Sequence, residues 1–289
     1  MVLKKIGVTG AAGLVGSHLI PMLSKYNYEI IGTSRKKIYN NNSNLSYKSL
    51  DLLKSLNQKK INKIFSNIDC LIHLAAMLPS NNRIKNVQLK KINYTNTKKL
   101  IDWAHKKKIF FIFFSSLSIF SKKHIPYSVY KKKIEKYMKE KKGLKFLILR
   151  PSSIYGFGQK DKTFLPNNIN KIKKKELVYF YKPLSIKFNF VHASDIARAI
   201  IFLMNKNTYG TYNIKNEKNT TLKELIILFK KIFNIKKEKF IIKNQVNYSS
   251  NINNIIKTNF KKITKMGWKT QIKLYDGVLQ SFVKNKIIT

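Results

Sequence analysis

Three tyrosines in this chain stand four residues before a lysine, a spacing at which the two side chains can share proton chemistry. The pairs are Tyr94/Lys98, Tyr127/Lys131 and Tyr137/Lys141. On a helix, positions i and i+4 share one face, and a cation beside a phenol favours phenolate and lowers its pKa from about 10. The chain contains 15 Tyr and 58 Lys plus Arg, of which four are Arg, so about three such pairs are expected by chance. The spacing alone therefore proves nothing, and the position of each pair must decide.

A glycine-rich stretch near the N-terminus carries a more specific signal. VTGAAGLVGSHLI places Gly10, Gly13 and Gly16 three residues apart, and with 11 glycines in 289 residues about 0.02 such triplets are expected by chance. The stretch leaves a predicted strand and enters a predicted helix, whose free N–H groups and positive dipole end suit phosphates. The sequence therefore predicts a dinucleotide-binding turn.

The end of the second predicted strand bears on the choice of dinucleotide. YEIIGTS ends at Ser34 and is followed by Arg35 and Lys36, where NAD-preferring sites place an acid that accepts from the ribose 2′-hydroxyl. A basic pair suits a 2′-phosphate, so NADP is favoured over NAD, and both remain open. Asp51, in YKSLD, is either an acceptor for the adenine amine or a solvated loop acid.

These candidates stand at the ends of strands that alternate with helices. Short runs apolar on both faces are each followed by an amphipathic run, which predicts an α/β fold with a Rossmann-type, doubly wound parallel sheet. The predicted strands are KIGVTG, YEIIGTS, YKSLDL, DCLIHLAA, FFIFFSS and LKFLILRP, and the clearest helices are GSHLIPMLSKY, VQLKKINYTNTKKLIDWAHKK and SVYKKKIEKYMKEKK. Ligands of such sheets bind at the carboxyl ends of the strands, so chemistry is expected there.

The regular alternation breaks after Pro151. We predict a dinucleotide-binding domain over residues 1–163, to which residues 186–206 return, because IKFNFVHASDIARAIIFL is a strand and helix that could rejoin the sheet. Residues 164–185 and 207–289 are predicted to form a smaller α+β substrate-binding domain over the open strand edge.

Bulk composition bounds the classes of function. The chain is 44% hydrophobic and 12% aromatic, which is typical of a folded globule, and its single cysteine, Cys70, is expected to be a buried core thiol. No apolar run has the length of a signal peptide or a membrane span, so we expect a cytoplasmic protein without a membrane partner. The net charge of +45 is almost all Lys and is spread over nearly every predicted helix. Because Arg is scarce, this charge indicates biased composition and disfavours a nucleic-acid partner.

Other polar residues have structural readings beside functional ones. His73 and His192 adjoin apolar strands and are expected to be hydrogen-bonded structural histidines, with no Cys/His cluster to suggest a metal. Asp195 either caps the helix IARAIIFL or fixes a loop. Arg150 pairs either with a carboxylate or with a ligand phosphate.

Taken in order, these motifs resemble the extended short-chain dehydrogenases/reductases of the NAD-dependent epimerase/dehydratase family. The stretches that carry the resemblance are TGAAGLVG, HLAA, INYTNT with Asn93, FFSSLSIF, YSVYK, RPSSIYGFG, FVHASDIARAI, YNI and KMGWKTQIKLYDGV. The resemblance runs nearly end to end, and it implies an enzyme that binds NAD or NADP and acts on nucleotide-activated sugars.

The resemblance also separates the three tyrosines. Ser116 falls on the catalytic hydroxyl position, and Tyr127 and Lys131 fall on the Tyr-x-x-x-Lys motif, at the start of a helix just after the serine strand. Tyr94 and Tyr137 lie within amphipathic helices instead. Tyr127 is then the general acid/base on a substrate hydroxyl during hydride transfer, with a pKa lowered by Lys131, and Ser116 binds the same oxygen. The implied cofactor-binding residues are Gly10, Ala12, Gly13, Leu14, Val15, Gly16, Ser34, Arg35, Asp51, Leu52, Leu74, Ala75, Ala76, Asn93, Lys131 and Pro151.

Departures from the family pattern bear on the substrate. Dehydratases of the family carry acids where Leu117 and Ser118 stand, so dehydratase chemistry is disfavoured. Only ten residues separate the catalytic serine from the catalytic tyrosine, which predicts a more open sugar pocket. Where nucleotide-sugar enzymes place an Arg for the diphosphate, this chain has Phe188 beside Lys187. Either Lys187 replaces that Arg as a substrate-binding cation, or the substrate is not a nucleotide diphosphate sugar.

The resulting hypothesis is an NAD(P)-dependent epimerase or 4-ketoreductase of a nucleotide-activated sugar, serving surface polysaccharide synthesis. A homodimer through the two long helices that contain Tyr94 and Lys131 is expected by analogy. The alternative is a non-catalytic, epimerase-like protein that binds RNA or another polyanion.

Overall fold

A seven-stranded parallel sheet forms the centre of the computed structural model. The structure describes residues 3–35, 38, 43–78, 85–121, 125–159, 163–235, 240–244 and 257–287. The strands of the central sheet are β1 (Lys5–Thr9), β2 (Glu29–Ser34), β3 (Leu45–Ser49), β4 (Cys70–His73), β5 (Phe110–Phe114), β6 (Phe146–Pro151) and β11 (Gly210–Ile214). Their order is β11-β6-β5-β4-β1-β2-β3, and every neighbouring pair is parallel. The direction of winding reverses between β1 and β4, where ligands of such sheets bind.

Helices pack on both faces of this sheet and around a second, smaller core. They are α1 (Leu14–Ser24), α2 (Gln58–Ile64), α3 (Asn86–Lys90), α4 (Thr97–Lys106), α5 (Pro126–Glu140), α6 (Phe164–Lys173), α7 (Ala193–Asn205), α8 (Leu222–Phe233), α9 (Lys261–Thr264) and α10 (Leu274–Val278). A π-helical segment, Lys91–Asn96, joins α3 to α4. One core contains Leu19 of α1 and Ile200 of α7, and the core on the opposite face contains Trp103 of α4 and Ile134 of α5.

The central strands are apolar on both faces because both faces are covered. All five residues of β5 are buried, and Cys70 in β4 is fully buried, which confirms the core thiol; burial raises the pKa of that thiol. Pro126 at the first position of α5 starts that helix without losing a helical hydrogen bond. The predicted parallel α/β sheet is therefore confirmed.

Short elements form a second, smaller core. β7 (Ser153–Tyr155) pairs with β10 (Phe190–His192), β8 (Val178–Tyr181) pairs with β13 (Phe240–Lys243), and β9 (Lys187–Phe188) pairs with β12 (Thr220–Thr221). The core between these elements contains Tyr155, Phe180 and Phe229.

Two details of the second half differ from the sequence prediction. The strand of FVHASDIARAI does not enter the central sheet: β10 pairs with β7, while α7 does pack against α1. β11, by contrast, pairs with β6 at the edge of the central sheet, although residues 207–289 are predicted to belong to the substrate domain. The positions of β10 and β11 are set by the strands with which their backbones form hydrogen bonds. The apolar pattern of a short strand does not specify that partner strand.

Buried histidines join the two parts of the molecule. His18 Nδ1 of α1 lies 2.8 Å from Ser194 Oγ, and His192 Nε2 lies 2.9 Å from Ser281 Oγ. The two imidazole rings meet edge to face, 5.3 Å apart. His192 is therefore a hydrogen-bonded structural histidine, as predicted.

Asp195 fixes the C-terminal segment to α7. Its carboxylate is 1% exposed, accepts from the backbone N–H groups of Gln271 (2.8 Å) and Ile272 (3.2 Å), and pairs with Arg198 at 2.7 Å. Of the two readings of Asp195, the structure supports the fixing of a loop.

We expect acid to destabilise the protein from about pH 6.5 downward. Burial, reinforced by neighbouring cationic or histidine charge, lowers the pKa values of His73 and His192 to about 3. Between pH 3 and 6.5 these two residues bind more protons in the unfolded chain than in the folded one, so their contribution to stability is complete above pH 6.5 and falls as the pH drops. Melting temperatures measured from pH 8 to pH 4 check this, and His73→Asn should reduce the slope between pH 4 and pH 6.5, because His18 and His192, whose pKa values burial also lowers, keep the remainder. A melting temperature that does not change down to pH 5 contradicts the prediction.

Candidate active site

The glycine turn after β1 packs tightly against its neighbours and leaves one side open. Gly10 has a φ of +71°, and a Cβ there would lie 2.8 Å from the backbone nitrogen of Ala75. A Cβ on Gly16 would lie 2.4 Å from the carbonyl oxygens of residues 10 and 11, so only glycine lets α1 approach the turn. Ala12 and Gly13 are exposed, and Gly13 begins α1 without a side-chain cap. Gly13 N donates to the Gly10 carbonyl, and the N–H groups in the first turn of α1 have no side-chain cap, which suits a dinucleotide phosphate.

The other predicted cofactor residues follow the same carboxyl edge of the sheet. Leu14 and Val15 begin α1, and the remaining predicted contacts at the strand ends are Ser34 and Arg35 (β2), Asp51 and Leu52 (β3), Leu74, Ala75 and Ala76 (β4) and Pro151 (β6). Lys36, the second member of the predicted basic pair, lies outside the described residues. Asp51 Oδ1 accepts from Leu53 N at 2.9 Å, within its own turn. The structure thus brings the described positions together, and their contacts with a cofactor stay predictions.

Asn93 positions the segment after β4. It is 1% exposed, its Oδ1 accepts from Met77 N at 2.9 Å, and its Nδ2 donates to Met77 O at 2.8 Å. His73, which ends β4, lies 2.7 Å from Thr9 Oγ1 and 2.9 Å from Thr97 Oγ1. The structural reading of His73 is confirmed, and both residues hold the loop beside the glycine turn.

Ser116 and the start of α5 are tied to each other. Ser116 follows β5 by two residues, and its Oγ accepts from Ser118 N at 3.0 Å. Ser128, the neighbour of Tyr127, donates its hydroxyl to Ser118 Oγ at 2.9 Å. The segment that carries the serine is therefore held against the first turn of α5, where Tyr127 lies.

Lys131, one helical turn after Tyr127 on α5, is buried. Its Nζ donates to Phe114 O at 2.6 Å and lies 5.6 Å from the centre of the Tyr127 ring. Burial lowers the pKa of Lys131 to about 7, against the attraction of Glu135. Burial also raises the pKa of Tyr127, so the prediction that Lys131 lowers it is wrong. The lysine ammonium is directed at a backbone carbonyl, and the cost of desolvating a phenolate outweighs its attraction.

The two other Tyr-x-x-x-Lys pairs have different surroundings. Tyr94 stacks on Tyr130 with ring centres 6.2 Å apart. The Tyr137 hydroxyl donates to Asp102 Oδ1, and Lys141 Nζ lies 3.0 Å from that hydroxyl and 2.8 Å from the same carboxylate. Tyr137 and Lys141 therefore link α5 to α4 as a structural pair.

A buried carboxylate that was not predicted from the sequence, Glu135, lies on α5 four residues after Lys131. Arg150 Nε donates to Glu135 Oε1 at 2.9 Å and to Oε2 at 3.1 Å, and Ser115 Oγ donates to Oε1 at 2.5 Å. Of the two predicted partners of Arg150, the structure shows the carboxylate. The sequence feature that could have pointed to Glu135 is its spacing, because it stands four residues after Lys131 and therefore lies on the same face of α5.

The positions that bear on substrate choice are partly described. Leu117 is fully buried, and the Ser118 hydroxyl is bonded to Ser128. Residues 122–124 of the short segment before Tyr127 lie outside the described residues. Lys187 is exposed on β9, and its neighbour Phe188 stacks on Phe164 with ring centres 4.7 Å apart. The role of Lys187 as a substrate cation stays a prediction.

The described residues offer neither a metal cluster nor a membrane-spanning helix. Over the ranges that the structure covers, no three His, Cys, Asp or Glu side chains are grouped so that they could hold a metal ion. Among the helices of those same ranges, none is long and apolar enough to cross a membrane.

Known sequences match this chain over almost its whole length. The model of the NAD dependent epimerase/dehydratase family matches residues 6–214. A putative UDP-glucose 4-epimerase of Methanocaldococcus jannaschii is 26% identical over 94% of this chain and 95% of its own. The dTDP-4-dehydro-6-deoxyglucose reductase of Escherichia coli is 26% identical over 94% of each chain. These relatives are named as enzymes and give no support to a non-catalytic protein.

A solved structure has the same fold. The UDP-glucose 4-epimerase of Thermotoga maritima, solved with UDP-glucose, superposes with a TM-score of 0.79 at 22% identity and covers 96% of this chain and 97% of its own. The superposition covers nearly the whole of both chains, so the two proteins share one fold.

Proposed function

Because this chain belongs to the NAD dependent epimerase/dehydratase family, we propose that it is a nicotinamide-dependent epimerase or 4-ketoreductase of a nucleotide-activated sugar. The observation that carries the proposal is the gathering of Ser116, Tyr127 and Lys131 around the end of β5, at the sheet edge that also bears the glycine turn. Relatives named for both reactions align along nearly the whole chain, which supports this choice of substrate class.

The chemistry assigned to the chain's own residues is proton transfer. A bound nicotinamide supplies or takes the hydride at a substrate carbon. The raised pKa of Tyr127 keeps its phenol neutral, so it can donate a proton to the oxygen that gains charge on reduction. Ser116 holds the same oxygen by a hydrogen bond, and Lys131 supplies positive charge near it. In the oxidation direction, the tyrosinate form of Tyr127 receives the proton of the substrate hydroxyl and returns to the neutral phenol.

Elimination of water fits these residues less well. A dehydratase needs an acid and a base beside the catalytic hydroxyl. Leu117 is buried and apolar, Ser118 is bonded to Ser128, and Glu135 is occupied by Arg150. The described residues beside Ser116 therefore offer no free carboxylate for this step.

The test is turnover of a panel of UDP-, GDP- and dTDP-sugars, and of their 4-keto forms, with and without NADPH or NADH. Epimerisation without net change in the nicotinamide supports the epimerase. Consumption of reduced nicotinamide by a 4-keto sugar supports the reductase. Absence of turnover with every sugar overturns the proposal. The cytoplasmic homodimer expected from the sequence is a separate proposal, and light scattering tests its oligomeric state.

We expect Arg35→Ala to weaken NADP binding about tenfold and to leave NAD binding unchanged. A hydrogen bond from the guanidinium to a charged 2′-phosphate is stronger than one to a neutral 2′-hydroxyl, and the difference in free energy corresponds to about a tenfold change in affinity. Arg35 is exposed directly after β2, where a ribose 2′-substituent is predicted to lie. Fluorescence titration with NADPH and NADH measures both affinities. Lys25→Ala, at the opposite end of α1, is the matched control for loss of one cation. Equal weakening of both dinucleotides contradicts the role.

A further inference from the structure

A buried carboxylate lies one helical turn beyond Lys131. Glu135 is 3% exposed, and its carboxylate binds Ser115 directly after β5 and Arg150 on β6. Three elements, α5, β5 and β6, therefore meet at this one charged group. A buried ion pair is costly in desolvation and contributes little net stability, so its presence beside the candidate site calls for another role.

The Glu135 carboxylate is linked to both parts of the candidate site, which are the face of α5 that carries Tyr127 and Lys131 and the segment that carries Ser116. Tyr127, Lys131 and Glu135 stand at i, i+4 and i+8, on the face of α5 that packs against the end of β5. Ser115, which donates to the carboxylate at 2.5 Å, is the residue directly before Ser116. A shift of Glu135 would therefore move α5 relative to the serine segment.

The charges around Lys131 define what Glu135 adds. His73 faces the lysine from β4 and is neutral at working pH, because burial and Lys131 lower its pKa to about 3. Tyr127 is neutral as well. Two cations form ion pairs with the Glu135 carboxylate and partly offset its negative charge. They are Arg150 and Lys139, whose Nζ lies 3.8 Å from Glu135 Oε2. Glu135 nevertheless attracts the Lys131 ammonium, against the desolvation that favours a neutral amine.

We propose that Glu135 is a positioning residue for the reaction: it attracts the Lys131 side chain from one turn further along α5, and through Ser115 it holds the Ser116 segment against α5. The inference deepens the proposed function and rests on it for its catalytic meaning. The attraction between the Glu135 carboxylate and the Lys131 ammonium also contributes to the free energy of folding. This contribution does not depend on the turnover of a sugar.

A double-mutant cycle in thermal unfolding tests this attraction directly. Wild type, Glu135→Gln, Lys131→Met and the double variant are melted between pH 6 and pH 9. At pH 6, E135Q should lower the melting temperature about 3 °C more in the presence of Lys131 than in the K131M background. By pH 9 the folded state holds Lys131 neutral, so the two losses should become equal. Equal losses at every pH overturn the proposal, because a purely structural carboxylate acts alike in both backgrounds.

Activity provides the second readout. If the ammonium is the active form, activity falls at high pH as Lys131 loses its proton, and E135Q should move this fall to lower pH by about one unit. Glu135→Asp keeps the charge and should restore the wild-type profile. Glu140→Gln removes an exposed carboxylate from the same helix and should leave the profile unchanged. A lower turnover with an unshifted profile counts against the positioning role. If the wild type turns over no sugar, the proposed function fails, and the thermal cycle alone decides the inference.

A second variant replaces E135Q if that protein does not fold. Arg150→Gln removes a cation that offsets Glu135, so it should strengthen the attraction to Lys131. Its loss of melting temperature at pH 6 should then be smaller in the presence of Lys131 than in the K131M background. No difference between the two backgrounds overturns the proposal as well.

Discussion

Tyr127→Phe should lower turnover by about 10²- to 10⁴-fold, the usual contribution of a positioned general acid. The substitution removes the hydroxyl and keeps the ring that packs 5.6 Å from Lys131 Nζ. Because burial keeps the phenol protonated, the loss is expected at every pH at which the wild type is active. Dinucleotide affinity and melting temperature should stay close to those of the wild type, since the hydroxyl is assigned to the substrate.

Tyr137→Phe is the matched control, because it removes the same atom from the same helix in another Tyr-x-x-x-Lys pair. The Tyr137 hydroxyl binds Asp102 and Lys141, so its loss should reduce the melting temperature by a few degrees, from about 1 kcal/mol of lost hydrogen bonding, and leave turnover within about twofold. Steady-state kinetics and thermal melts of both variants decide the matter. If Y127F retains full turnover, or if both variants lose it equally, Tyr127 is not the acid.

The features of the fold that the sequence predicted best are those that depend on local pattern. The run FFIFFSS predicts a strand buried on both faces, and β5 is fully buried at the centre of the sheet. Gly10 and Gly16 predict a tight strand-to-helix turn, and built Cβ atoms at both would collide with backbone. The helix predicted over SVYKKKIEKYMKEKK begins at Ser128, two residues after the observed start of α5 at Pro126. In each case, steric and hydrophobic requirements act within a few residues of the chain.

The features that the sequence did not reveal depend on groups far apart in the chain. The pKa of Tyr127 depends on how much protein surrounds the phenol and on where Lys131 points, and neither follows from the i, i+4 spacing. The pairing of Glu135 with Arg150 requires that β6 lie beside β5. The place of β11 at the sheet edge likewise depends on which strand offers free backbone groups. Sequence pattern locates the candidate site, and tertiary packing sets its charges.

Alanine substitutions at two glycines of the N-terminal turn should have different effects on stability and on dinucleotide affinity. Gly16→Ala places a methyl group 2.4 Å from two backbone carbonyl oxygens, and neither atom can move without shifting α1 from the turn. We expect a destabilisation of about 1–3 kcal/mol or more, seen as a drop of about 5 °C in melting temperature, together with loss of dinucleotide binding.

Gly13→Ala should have the opposite profile. Gly13 is exposed, its φ of −80° suits any residue, and its Cβ would approach only the Gly10 carbonyl, at 3.1 Å. The melting temperature should therefore stay within about 2 °C of the wild type. Because the phosphates are predicted to lie against the start of α1, a methyl group on Gly13 should crowd them, so NAD and NADP should both bind at least about tenfold more weakly. Calorimetric titration and thermal melts of the two variants check this. If G13A binds both dinucleotides as tightly as the wild type, the phosphates do not approach this helix end, and the glycine spacing serves packing alone.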